Sequence, residues 1–108
     1  MICTYIDKKR VAIKWPNDVL VDGEKIAGIL IENRIIKGQV AASFVGVGVN
    51  VNQLIFSRFT RMACSLKSLN KQSYVVEEVA FELRQRIIEN INKRLSDVKR
   101  VYKDSLYQ

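Results

Sequence analysis

The chain has 108 residues, 48% hydrophobic and 27% charged, enough for one domain with a modest core. This composition argues against global disorder, and no apolar run approaches the ~20 residues that a membrane-spanning helix needs. Without histidine, Ser-His-Asp triads and histidine metal sites are excluded; eighteen Lys and Arg against eleven Asp and Glu leave a net charge of +7.

Residues 1–10 contain no apolar core of export-signal length, so a cytoplasmic location is expected. Val11-Ala12-Ile13-Lys14-Trp15 reads as a strand stopped by Pro16, with Trp15 preferred as a core aromatic. Val19-Leu20-Val21 is a second short run, and Asp22-Gly23 supplies the positive-φ residues of a two-residue hairpin turn. Lys25 to Ile31 is extended again. Asn33 to Gly38 reads as a longer polar turn containing Ile35-Ile36, and a fourth strand runs from about Val40 to Val51.

The second half changes texture. Leu54 to Lys71 lacks firm periodicity, although Phe56, Phe59 and Met62 have the spacing of a brief helical turn. Ser73 is the expected N-cap of a helix carrying Val76, Val79, Ala80, Leu83, Ile87, Ile91 and Leu95. Glu77, Glu78 and Glu82 near its start, with Lys93 and Arg94 near its end, complement the helix dipole. Ser96 or Asp97 then caps a last short helix. The expected class is α+β: an antiparallel (mixed) sheet meander over about 10–53, then packed helices over about 54–108. Cys3 and Cys64 form no CxxC and read as reduced, mostly buried thiols, which leaves no zinc site.

Chemistry-bearing residues gather in the sheet half. With Asp22-Gly23 as a two-residue turn, Leu20 pairs with Lys25 and Asp18 with Ala27, so Asp18 and Lys25 share a face. Their Cα atoms should lie about 7–9 Å apart, too far for direct contact but right for flanking one ligand group. Asn17 adds an amide near the same edge. A solvent-facing strand with randomly placed charges accounts for this pattern equally well. In Gly46-Val47-Gly48-Val49-Asn50-Val51-Asn52 the valines form a core face, and the other face carries Gly46, Gly48, Asn50 and Asn52. Two glycines inside a strand suit either a flat ligand on bare backbone, with Asn50 pairing an adenine-like edge, or a twist or bulge that needs glycine itself. Neither GxGxxG nor GxxxxGK[ST] is present.

Three stretches together resemble the signature of the biotin–protein ligase family: Lys14-Trp15-Pro16-Asn17-Asp18, Lys25-Ile26-Ala27-Gly28-Ile29-Leu30-Ile31-Glu32 and Gly46-Val47-Gly48-Val49-Asn50-Val51-Asn52. Ala63-Cys64-Ser65-Leu66 resembles a fourth segment of that family. Order and spacing match over about residues 10–107, so 1–108 is expected to be part of a ligase catalytic domain. It resembles the second half of that class II synthetase-like fold, without the family's upstream arginine- and glycine-rich loop.

The resemblance implies two-step chemistry. ATP and biotin, with Mg2+ beside the ATP, give biotinyl-5′-AMP; the biotinyl group then passes to a lysine of the biotin carboxyl carrier protein of acetyl-CoA carboxylase. It implies that Lys25 holds the biotin carboxylate and α-phosphate. Asp18 would position or deprotonate the incoming lysine, whose free pKa is ~10.4. Lys14 and Asn17 would lie at the phosphate edge, and Gly28, Gly46, Gly48 and Asn50 at the substrate and adenine. Some family members dimerise by sheet extension, so a homodimer is among the implications. Two other readings are a non-catalytic, partner-binding form of the same fold and a lipoate-ligase-like acyl-adenylating enzyme. A nucleic-acid binder rests only on the basic second half, where residues 55–108 hold eleven basic and six acidic side chains. No recognition motif supports it.

Overall fold

Two glycine turns organise the sheet. Asp22-Gly23 joins β2 (Asp18–Val21) to β3 (Glu24–Ile36), and Lys37-Gly38 joins β3 to β4 (Gln39–Val49). In both turns the two central residues have positive φ (52° and 82°; 52° and 75°), the type I′ pattern that matches strand twist. β1 (Val11–Lys14) completes a four-stranded antiparallel meander in the order β1-β2-β3-β4. The computed structural model describes residues 1–57, 62–93 and 95–107, with Leu95 described by its backbone.

The helical half follows as expected in outline: α2 (Leu66–Asn70), α3 (Val76–Ile91) and α4 (Leu95–Asp104). A short N-terminal helix, α1 (Ile2–Tyr5), was not anticipated; it contributes the buried Ile2. The core joins Ile2 and Ile6 to Val21, Ile26, Ala27, Val51, Cys64, Leu66 and Val79. Sheet, N-terminal segment and helices α2 and α3 therefore share one apolar centre, and the α+β expectation holds.

Several local expectations are corrected. Asn33–Gly38 is not a long turn: β3 continues to Ile36 because Glu32, Asn33 and Arg34 pair with Phe44, Ser43 and Ala42, leaving only Lys37-Gly38 as the turn. Trp15 is 73% exposed rather than in the core, since it stands in the turn after β1. Cys3 is exposed and only Cys64 is buried. Helix α3 begins after Val75, which makes no side-chain cap, so Ser73 lies outside it. It ends at Ile91, and Leu95 opens α4 ahead of the expected caps Ser96 and Asp97. Phe59 and Arg94 lie outside the described residues.

All strand pairs of the sheet are antiparallel, and two isolated parallel bridges lie outside its named strand pairs. Leu106 pairs with Ile13 on the outer edge of β1, and Ala63 pairs with Lys25. β4 is the other edge strand; beyond Leu30 the β3–β4 hairpin exposes Ile31, Ile35, Val40 and Phe44.

Candidate active-site cleft

The position of Lys25 depends on one extra residue. Leu20 pairs with Lys25, but Val19 pairs with Ala27, so Ile26 is inserted in β3 as a bulge. The uniform register expected from the turn would have paired Asp18 with Ala27. The bulge pairs Asp18 with Gly28 instead and brings Lys25 and Gly28 onto the same face. Rather than standing out of contact, Lys25 Nζ lies 3.1 Å from Asp18 Oδ1, with both side chains partly exposed.

The shifted register also aligns the family-like stretches. Lys14 pairs with Asp18, Asp18 with Gly28, and Gly28 with Gly48, a row crossing all four strands on one face. The next paired positions on that face are Leu30 and Gly46. A Cβ built on Gly28 would stand 3.2 Å from Lys25 Nζ and 3.3 Å from Cε, so the missing side chain is where the lysine lies. A Cβ on Gly48 would meet nothing within 4 Å. Neither Gly46 nor Gly48 has positive φ, and the irregularity of β4 falls opposite Arg34/Ile35, away from both. These glycines are therefore not required by turn or bulge geometry; what they leave is a bare surface.

Lys14, Asp18 and Lys25 line one cleft of about 570 Å3 together with Leu20, Gly23, Met62 and Tyr107. Gly46 lines a separate depression of about 500 Å3 with Leu30, Glu32, Ser43, Phe44 and Val45. On the opposite face Val45 and Val47 border a groove against Ala80, Leu83, Arg84, Ile87 and Ile88 of α3.

Main-chain bonds hold Lys25 from both sides. Its N–H donates to the Met62 carbonyl (2.9 Å), and its own carbonyl accepts from Cys64 N–H (2.9 Å). Asn50 completes this clamp, its Nδ2 donating to the carbonyls of Cys64 (3.1 Å) and Lys25 (3.5 Å). Asn50 therefore does not line the cleft, and its amino group is taken by main chain rather than offered to an adenine edge. It stands behind Lys25, tied to the main chain on both sides. Asn52 is likewise committed, bonding both the N–H and the carbonyl of Tyr74.

The Met62–Leu66 segment is anchored in turn. Ser65 caps α2 in a reciprocal box with Ser68 and donates to the Gln53 carbonyl (2.6 Å). Burial pushes the Cys64 thiol up to about 11, which makes it a packing group rather than a nucleophile. Asn17 is exposed and does not line the cleft; its carbonyl accepts from Ile29 N–H (2.9 Å) and ties the turn to β3. Tyr107, Met62 and Leu20 escaped the sequence reading. Tyr107 reaches the cleft only through the bridge between Leu106 and β1, for which no local sequence signal exists.

The sheet thus carries, on one open face, a cation laid over a bare glycine beside a carboxylate. Residues 3–50 match the Biotin/lipoate A/B protein ligase family. The chain is 57% identical over 42 residues to the biotin--[acetyl-CoA-carboxylase] ligase of Paracoccus denitrificans, which covers 39% of this chain and 18% of that protein. Its fold is similar to the apo structure of biotin protein ligase from Aquifex aeolicus, with a TM-score of 0.76 and 24% identity, covering 98% of this chain and 49% of that one. The similarity extends to the Aquifex aeolicus biotin protein ligase in complex with biotin and ATP (TM-score 0.74, 25% identity, 97% of this chain and 47% of that one). The family match covers residues 3–50, somewhat under half of the chain, and the chain spans about half the length of these solved ligases.

Proposed function

We propose that residues 1–108 form part of a biotin–protein ligase catalytic domain that makes biotinyl-5′-AMP from ATP and biotin. The biotinyl group then passes to a lysine of a biotin carboxyl carrier protein. The observation that carries this reading is the cross-sheet row Lys14–Asp18–Gly28–Gly48, with Lys25 folded over Gly28. The solved relative with bound biotin and ATP supports it.

The residues divide the work physically. A free carboxylate repels nucleophiles, so it must first become an ester of a good leaving group. Lys25, fixed by main-chain bonds, places positive charge where carboxylate and α-phosphate meet and offsets the charge that accumulates there. In doing so it gives up part of its pairing with Asp18. The released Asp18 carboxylate can then accept a proton from the incoming amine. The amine nitrogen forms the new C–N bond, the acyl C–O bond to phosphate breaks, and AMP leaves with that electron pair. The bare backbone at Gly46 and Gly48 leaves space for the flat parts of the ester.

Mg2+ would enter with ATP and offset the charge of its phosphates. No helix among the described residues is long and apolar enough to cross a membrane, and we place the reaction in the cytoplasm. The open β4 edge offers a surface for self-association.

The test incubates the chain with ATP and biotin and follows acyl-adenylate and pyrophosphate, with lipoate as the competing acid. Formation with biotin, lost in Lys25→Ala, supports the reading; equal turnover in Lys25→Ala overturns the role of Lys25. Preference for lipoate moves the chain to the sister activity of its family. A second reading is a binding module of the same fold. Calorimetric binding of a carrier domain, without binding of biotin or ATP, would favour it.

A further inference from the structure

Tyr107 has no part in the chemistry above, yet it walls the same cleft as Lys14, Asp18 and Lys25. The fold fixes it firmly. After α4 the chain runs beside β1, with Ile13 N–H donating to the Ser105 carbonyl and Tyr107 N–H donating to the Ile13 carbonyl, both at 2.7 Å. From there the ring reaches the turn between β2 and β3, where its hydroxyl lies 3.8 Å from the position a Cβ on Gly23 would occupy. That turn is itself tied to the start of β1: Arg10 Nη2 reaches Asp22 Oδ2 at 2.6 Å, and Asp22 N–H donates to the Arg10 carbonyl at 2.9 Å. The ring is thus held at one end by an edge pairing and rests at the other on a braced turn.

The cleft has unlike parts. Leu20 is buried, whereas Met62 (73% exposed) and Tyr107 (54% exposed) stand at its mouth. Asp18, Lys25 and Lys14 supply the polar groups. Gly46 and Gly48, the bare surface suited to a flat nucleotide, do not line it. Apolar walls leading to a carboxylate match a substrate with an aliphatic stem and an amine head, the shape of a lysine side chain.

We propose that Tyr107 is a specificity residue for the acceptor: its ring packs against the methylene stem of the incoming lysine and directs the amine to Asp18. This inference rests on the ligase reading above. The acceptor is therefore a lysine on a protein surface, entering between Tyr107 and Met62.

The experiment supplies synthetic biotinyl-5′-AMP to the full chain and compares two nucleophiles, a lysine-containing peptide and hydroxylamine, which has no stem. In Tyr107→Ala the ratio of lysine transfer to hydroxylamine capture should fall about tenfold, the scale of losing one or two buried methylene contacts. Tyr107→Phe, which keeps the ring, should return that ratio to within about twofold of the original chain. Equal slowing of both nucleophiles, or an unmoved ratio in Tyr107→Ala, overturns the assignment while leaving the ligase reading intact. If the unsubstituted chain accelerates neither nucleophile over free biotinyl-5′-AMP, the ligase reading fails and the role of Tyr107 fails with it.

Discussion

Gly28→Ala separates the needs of the fold from those of the site. The added Cβ would meet Lys25 Nζ at 3.2 Å and Cε at 3.3 Å, both tighter than ordinary contact, and Asp18 Oδ1 at 3.8 Å, which is ordinary. The atoms that must give belong to the far end of a flexible side chain, so the fold can relax by a few tenths of an ångström. A partly exposed ion pair contributes about 0–1 kcal/mol. Replacing glycine with alanine at an accommodating position returns about 0.4–1 kcal/mol through the unfolded chain. These effects nearly cancel, and at roughly 4–8 °C per kcal/mol the melting temperature should move by less than about 5 °C. The site should respond differently, because displacing a fixed cation from developing charge weakens stabilisation specific to the transition state. Misplacement by about 1 Å can cost ~100-fold, so a smaller shift should slow acyl-adenylate formation about tenfold. Paired measurements of thermal unfolding and adenylate formation provide the test. Unchanged adenylate formation would refute the cradle argument, and a fall of more than about 10 °C in melting temperature would make Gly28 a folding residue instead.

Three further outcomes follow from the core and its titrating groups. Leu66 is fully buried, so Leu66→Ala should cost about 2–5 kcal/mol, measured as a lower urea midpoint with the slope unchanged. The Tyr5 hydroxyl donates to Glu82 Oε2 at 2.7 Å, and this bond to a carboxylate, with burial, pushes its pKa up to about 12. Because the folded value lies above the ordinary 10, that stabilisation is complete below pH 10 and disappears as pH rises from about 10 to 12. Ultraviolet titration should show a late phenol that moves earlier on Glu82→Gln. A thiol reagent at pH 8 should label exposed Cys3 at once and buried Cys64 only on unfolding; rapid labelling of both would contradict the packing of Met62–Leu66.

Much of the sheet was legible because its signals are local. Asp22-Gly23 announces its turn, and the alternating valines of β4 announce their faces. The ion pair was not legible at contact distance, because the bulge at Ile26 arises from packing: Ile26 and Ala27 are both buried, which uniform alternation does not allow. Ile26 is drawn into the shared core, and Lys25 and Gly28 consequently fall on one face. The polar run Glu32-Asn33-Arg34 concealed the length of β3, whose extension depends on pairing with β4 rather than on intrinsic propensity. Asn50 was identified as important for its amide, but the partner of that amide is the main chain of two distant segments. Tyr107 could not be found at all from spacing, since its neighbour across the sheet lies more than ninety residues earlier in the chain.

The most direct test of the central claim is to add biotinyl-5′-AMP to the isotopically labelled chain and map its amide resonances. Binding on the glycine-bare face should move the signals of Lys25, Gly28, Gly46 and Gly48 together. If only residues bordering the groove between β4 and α3 move, such as Val45, Val47 and Ile87, while those four stay fixed, the ester does not lie where this account places it.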